Sequence, residues 1–366
     1  MTKIQAEVHC LDCSHTQPAI GLDHRCPQCG GIFSFTHLPA YDPVPASGMA
    51  RYKRSLPLPS DAELVTLGEG GTPLVEMPVE GRSVHFKCEY LNPTGSFKDR
   101  GAAVLVSVLA AAGVQEAFDD SSGNAGAAFA AYAARANLKA RVLVPAYASG
   151  PKRDQIAAYG AEVVTIEGPR SAVTEAAVER AASGEIYASH STLPHVIAGS
   201  ATIAYELIEQ LGDVPGGVIT PVGQGTLLLG LAMGFKALLE SGQIKRLPML
   251  VGVQAKACAP ITTAFNAGEE QSVSVEEGQS LAEGIRITTP YRSRQVLEAV
   301  KSFGGEMLAV DESQILPARD ALAACGLYVE PTSAVVQAAM RQALTFVEDP
   351  VVAVLTGSGL KYTPSR

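Results

Sequence analysis

The sequence predicts two open α/β domains, each on a mostly parallel sheet, behind a small N-terminal four-cysteine module. Three observations predict it. From about Val84 onward, short β-rich runs alternate with longer helical patterns, as parallel strands joined by crossover helices require. The 366 residues suit two such sheets better than one. Finally, Cys10, Cys13, Cys26 and Cys29 form C-x2-C-x12-C-x2-C ahead of a Pro-rich stretch.

The module spans residues 1–36. Two cysteine pairs at this spacing can close a tetrahedral thiolate site around Zn²⁺, with Gly30 and Gly31 after the second knuckle. Two disulfides are the alternative, which a reducing compartment disfavours. A module this small needs its metal to fold, so the zinc would be structural and the module zinc-ribbon-like. Cys88, Cys258 and Cys325 lie in apolar segments and are expected as buried thiols. Residues 37–59, rich in Pro and turn formers, read as a surface linker.

Beyond the linker, strands are expected at 84–90, 117–119, 140–145, 162–166, 218–220, 249–254, 306–309 and 351–355. Helices are expected at 97–112, 125–136, 152–159, 172–182, 202–210, 226–240, 293–302, 313–324 and 333–346. Residues 60–99 with 196–366 should form a large domain and 100–195 a small one. Hydrophobic residues make up 47% and charged residues 18%, an ordinary soluble balance. A net charge of −9 disfavours nucleic acid and anionic membranes as partners. No apolar run approaches the about 18 residues of a membrane span. The start "MTKIQAEVHC" lacks a signal-peptide core. These features lead us to expect a soluble cytoplasmic protein.

Ligands of open parallel sheets bind at the carboxyl ends of strands, so those junctions matter most. "NPTGSFKDRG" places Lys98 in the first turn of an apolar helix, where the helix dipole disfavours a cation unless the amine has a task. "DDSSGNAG" leads into an alanine-rich helix whose first N–H groups, with Ser121, Ser122 and Asn124, could bind a carboxylate or phosphate, or could be an ordinary cap. "TPVGQGT" is a glycine turn at Gly223 and Gly225 opening a helix at Thr226, and is neither a P-loop nor G-x-G-x-x-G. "VVAVLTGSGLK" is an apolar strand ending in hydroxyls, Thr356 and Ser358. Together these are the parts needed to hold pyridoxal phosphate and an amino acid: an amine, a phosphate cradle, a carboxylate loop and a hydroxyl pair.

In this order and spacing, "NPTGSFKDRG", "SSGNAG", "PVGQGT", "LAEGIRI" and "LTGSGLK" resemble the fold-type II, tryptophan synthase β-like PLP enzymes, and threonine synthases in particular, over residues 65–361. The cysteine module also resembles one carried by some threonine synthases. The resemblance implies two open α/β domains and a Schiff-base lysine at Lys98 that shuttles the Cα proton. It implies Asn124 on the phenolic oxygen of pyridoxal 5'-phosphate, and Gly223, Gln224, Gly225 and Thr226 on its phosphate. Thr356, with Ser358 beside it, would face the pyridine nitrogen. Ser121, Ser122, Gly123, Ala125 and Ser191 would contact a small amino-acid substrate. The implied reaction converts O-phosphohomoserine and water to threonine and phosphate, in a homodimer.

One segment departs from the pattern. In "SHSTLPHVIAGSATIAYE" Ser191, Pro194 and Gly199 persist, but Val196 stands for the family's arginine and Ala198 for its glutamate; Gln224 replaces an asparagine. Losing that arginine removes a charge-assisted phosphate contact worth about 1.5–3 kcal/mol. Lys152, Arg153, Arg170 or Arg286 could replace it. The alternative is a related elimination or replacement enzyme, of threonine/serine dehydratase, diaminopropionate ammonia-lyase or cysteate synthase type. A retired enzyme serving as a binding module is a further alternative, which the intact Lys98 and loops oppose.

Overall fold

The computed structural model describes residues 6–148 and 150–363. The chain divides into two compact units, Met1–Gly70 with Lys98–Gly199 and Gly71–Phe97 with Ser200–Arg366.

In the first unit, β1 (Glu7–Cys10), β2 (Thr16–Pro18) and β3 (Phe33–Phe35) form an antiparallel sheet in the order β2-β1-β3. Val8, Ile32, Phe33 and Phe35 are buried there. The Pro-rich stretch that follows is anchored as well as turned. Its 3-10 helix, Gly48–Ser55, buries Met49 and Tyr52.

The chain then contributes β4 (Leu74–Val79) and β5 (Arg82–Lys87) to the second unit. The first unit resumes with α1 (Lys98–Ala111), β6 (Glu116–Asp119), α2 (Asn124–Arg135), β7 (Lys139–Pro145), α3 (Pro151–Ala158), β8 (Glu162–Ile166) and α4 (Arg170–Ala182). Its strands form a parallel sheet, β6-β7-β8, with Phe118, Leu143, Val173, Ala177 and Tyr187 in one core cluster. The alanines of α2 are buried from Ala125 to Ala133, because side chains this small let neighbouring elements approach closely.

Next, α5 (His195–Leu211) starts well before the expected residue 202. Gly199 and Ser200 lie inside this helix. In the fold, a Cβ at Gly199 would overlap the Arg100 carbonyl of α1, so the glycine serves helix packing. The second unit continues with β9 (Gly217–Pro221), α6 (Thr226–Glu240), β10 (Met249–Ala255), α7 (Pro260–Ala267), α8 (Ser293–Ser302), β11 (Glu306–Val310), α9 (Glu312–Ala324), α10 (Pro331–Ala343) and β12 (Val351–Val354). Its sheet has the order β11-β10-β9-β12-β5-β4 and is parallel except that β4 runs antiparallel to β5.

Neither β4 nor α7 was expected. Pro78 lies within β4, where on an edge strand the missing N–H leaves no ladder bond unmade. Cys88 and Cys258 are buried as expected, whereas Cys325 is exposed, because it caps the end of α9 beside a turn. Among the described residues, no helix is long and apolar enough to cross a membrane.

The sheet order is what prepares a site in the second unit. Strands β9, β12 and β5 are adjacent and parallel, so the loops leaving their carboxyl ends lie side by side.

Candidate active site

Those three loops carry the expected residues. After β9 comes the glycine turn, after β12 Thr356 to Ser358, and after β5 the stretch that ends at Phe97, next to Lys98. The last two are stitched together. Phe97 N–H donates to Thr356 O at 3.0 Å, Ser358 N–H to Gly95 O at 2.9 Å, and Ser96 bridges Gly357. Buried Lys361 adds a bond from Nζ to Thr94 O at 2.8 Å. The backbone entering α1 is therefore held by the strand end that carries the two hydroxyls.

Thr356 is buried, and its Oγ1 lies 3.0 Å from Ser333 Oγ at the start of α10. Ser333 also receives the Gly357 N–H at 2.7 Å. Sequence reasoning missed Ser333, which only the fold brings near. Ser358 turns its hydroxyl to the Leu360 N–H, capping the short turn that follows.

At the glycine turn, Gly225 has φ 86 and precedes α6 with no side chain capping its first N–H groups. A Cβ on Gly225 would overlap Val296 Cγ2, and one on Gly223 would press within 3.1 Å of Gly284 O and Ile285 Cα in the "LAEGIRI" segment. Only glycine permits this backbone, which presents N–H groups at a helix start as an anion site requires. Gln224 directs its Oε1 to the Tyr291 N–H at 3.0 Å, so what it offers at the turn is its backbone.

In the first unit, Lys98 opens α1. Part of its side chain stays accessible, yet desolvation pulls its pKa down to about 8, with buried Asp119 acting in the opposite direction. Asp119 ends β6, just before the Ser121–Gly123 loop, so amine and loop share a neighbourhood. Within that loop Gly123 N–H donates to Ser121 Oγ at 3.2 Å. Gly123 offers no side chain to cap α2, while Asn124 and Ala125 form its first turn.

A polar cluster flanks the loop. His190 Nδ1 donates to Asp119 Oδ1 at 2.8 Å, and Arg170 pairs with Asp120 at 2.6 Å. Burial raises the Asp120 pKa, but His190 and Arg170 outweigh it and hold the carboxyl below its ordinary value. Ser191, next to His190, is buried.

Val196 is buried where α5 crosses α1: a Cβ added at Gly101 would come within 3.0 Å of Val196 Cα and Cβ, so the glycine leaves room for this residue. Three of the cations that could replace an arginine there are engaged elsewhere: Arg170 with Asp120, Arg286 with Glu277 at 2.9 Å, and Arg153 with Ala148 O at 2.9 Å.

Residues 65–357 match the model for pyridoxal-phosphate dependent enzymes. A threonine synthase of Methanocaldococcus jannaschii is 33% identical, covering 96% of this chain and 92% of its own; one of Synechocystis is 35% identical, covering 89% and 88%. This chain belongs to the threonine synthase family of pyridoxal-phosphate dependent enzymes.

A solved T.th. threonine deaminase also superposes with TM-score 0.68 at 30% identity, covering 80% of this chain and 94% of its own. The residues present fit the family's cofactor. Lys98 supplies an amine of lowered pKa, Gly223 and Gly225 a turn where an added Cβ would meet neighbouring atoms, and Thr356 a buried hydroxyl.

The cysteine module has its own geometry. Cys10 Sγ lies 3.4 Å from Cys29 Sγ, Cys13 Sγ lies 3.7 Å from Cys26 Sγ and 3.5 Å from Cys29 Sγ, and all four fall within 4.8 Å of one another. All four are free thiols. A zinc tetrahedron with Zn–S of about 2.3 Å has edges of about 3.8 Å. The spacing fits such an ion.

Proposed function

We propose that this chain is a threonine synthase, converting O-phosphohomoserine and water to threonine and phosphate by β,γ-replacement. One observation carries the reading. The likeness to threonine synthases runs through nearly the whole chain, and the lysine, the carboxylate loop, the glycine turn and the hydroxyl pair are all present in it.

In this reading Lys98 would hold the cofactor covalently in the resting enzyme, and its Nζ, released when the amino acid binds, would take the substrate's Cα proton. Asn124 donates to the phenolic oxygen. The backbone at Gly223, Gln224, Gly225 and Thr226 holds the cofactor phosphate, with the positive end of α6 behind it. Thr356, oriented by Ser333, faces the ring nitrogen, with Ser358 as the neighbouring hydroxyl. Bound pyridoxal phosphate supplies an electron sink that stabilises charge at Cα. Ser121, Ser122, Gly123 and Ala125 hold the substrate carboxylate, with the N-terminus of α2 contributing N–H donors, and Ser191 is a further substrate contact. The neutral amine of Lys98 is the form that can add to the cofactor, and in the cofactor-free chain desolvation lowers its pKa to about 8.

The homodimer is proposed from the family resemblance and the cytoplasmic location from the composition; the division into 60–99 with 196–366 and 100–195 stays a proposal beside the compact units described above, which place residues 60–70 and 196–199 in the first unit. Zn²⁺ on Cys10, Cys13, Cys26 and Cys29 is proposed from the Sγ spacing, with metal content of the purified chain as its test.

Val196 supports a second reading. Its side chain is packed into the α1–α5 crossing, so the family's phosphate arginine has no counterpart at that position. A β-elimination of threonine/serine dehydratase or diaminopropionate ammonia-lyase type would not need it, and a replacement of cysteate synthase type is the remaining alternative.

Phosphate and threonine measured together from O-phosphohomoserine separate the two. Equal amounts of both products establish the synthase. No phosphate release, from enzyme with normal cofactor absorption, refutes it and directs the search to β-substituted amino acids.

A further inference from the structure

The cysteine module rests on one stretch of the first unit, residues 187–195. His195, the first residue of α5, is fully buried, and its Nε2 lies 2.6 Å from the carbonyl of Ala19, one residue past β2. A carbonyl only accepts, so Nε2 carries the proton and donates. Phe35 of β3 meets the same ring edge-on, with centroids 5.7 Å apart and an interplanar angle of 84°. At the other end of the stretch, His24 of the module packs on Tyr187 at 5.2 Å, and Tyr187 stacks on Phe118 of β6 at 5.0 Å and 2°.

Between these anchors the chain is irregular. The Thr192 N–H reaches Ser189 Oγ and the Leu193 N–H reaches Ser189 O, each at 3.2 Å. This turn carries His190, which is bonded to Asp119 at the mouth of the Ser121 loop, and Ser191. An apolar side chain at 195 would fill the same space without desolvating a ring. A buried N–H with a single carbonyl partner does something apolar packing does not: it specifies one register, because any shift leaves both groups unpaired.

We propose that the cysteine module positions the substrate-binding turn, with His195 as the positioning residue through its bond to Ala19 and His24 as the second anchor through Tyr187. The module thereby links the state of Cys10, Cys13, Cys26 and Cys29 to amino-acid binding rather than to cofactor binding. The proposal rests on the reading of Ser191 as a substrate contact.

The test uses the full-length, cofactor-loaded enzyme and compares His195→Asn, whose amide is too short to reach Ala19, with His195→Gln, whose amide nitrogen reaches about as far as Nε2. Two readouts are followed: hydrogen exchange of the peptide covering 187–197, and KM beside kcat and cofactor affinity. In His195→Asn we expect exchange and KM each to rise about fivefold, the factor a single lost hydrogen bond gives. Cofactor affinity and kcat should stay near wild type, and His195→Gln should restore both readouts. Chelation of the wild-type metal should reproduce the His195→Asn pattern.

Unchanged exchange in His195→Asn overturns the proposal. So does faster exchange with unchanged KM, or a loss of cofactor affinity in step with KM. If His195→Asn fails to fold, His24→Ala with metal content checked gives the same readouts from the second anchor. A wild-type enzyme inactive on O-phosphohomoserine faults the substrate assignment alone; the exchange comparison still decides the clamp, and KM is then read on the amino acid that is turned over.

Discussion

Replacing Gly225 by Ala isolates the glycine turn. Two terms follow from the structure. At φ 86 an Ala pays the left-handed penalty of about 1–2 kcal/mol that glycine avoids. The new Cβ would also sit inside 3.0 Å of Val296 Cγ2, closer than real Cβ contacts come. Val296 is buried and β-branched, so relief requires a shift of α8 or of the turn, an overpacking cost of about 1–3 kcal/mol. The sum is about 2–5 kcal/mol. It should appear as a lowered denaturation midpoint of the cofactor-free chain. If the turn moves to relieve the overlap, cofactor affinity falls as well, because the N–H groups no longer converge on one phosphate. Val296→Ala in the Gly225→Ala background should return the overlap term and leave the backbone term. The assays are chemical denaturation without cofactor and absorption titration with pyridoxal phosphate. A Gly225→Ala chain with wild-type midpoint and wild-type affinity would refute the reasoning, since neither strain nor cradle would then depend on this glycine.

Three further predictions test other parts of the molecule. Cofactor addition to the cofactor-free chain should speed up as pH rises through about 8, where Lys98 becomes neutral, and Asp119→Asn should move that midpoint down because the buried carboxylate favours the ammonium; an unmoved midpoint in stopped-flow absorption counts against it. Burial depresses the His195 pKa from 6.5 to about 4, so below pH 6.5 the unfolded chain takes up a proton that the native ring refuses. Stability should fall by up to about 1.4 kcal/mol per pH unit between those values, and denaturation midpoints of His195→Gln should lose that part of the slope. Buried Lys87 donates to Glu206 at 2.6 Å, Thr72 O at 2.8 Å and Gln210 at 2.9 Å, so Lys87→Met should destabilise by about 3–5 kcal/mol, with Glu206→Leu in the same chain recovering much of it; an additive loss on thermal denaturation would mean the pair is not coupled.

Much of the architecture was legible locally. Thr226–Glu240 and Ser293–Ser302 emerge as the pattern read them, because glycine, serine and sustained helical periodicity act within a few residues. The site motifs were legible for the same reason, since a glycine turn before a helix is a short-range statement about backbone and N–H groups. Elements whose identity depends on remote surroundings were not. The edge position of β4 excuses Pro78, and the Arg100 carbonyl explains Gly199 inside α5.

The sequence by itself determined the chemistry on offer: the amine, the glycine turn, the hydroxyls and four thiols at metal-binding spacing. The tertiary structure decided what those groups meet. Ser333 comes to Thr356 across 23 positions, and Ala19 comes to His195 across 176. Spacing in the chain says nothing about such pairs, because each is created by sheet order and module packing, which sum many weak burial terms over the whole chain rather than following any local rule.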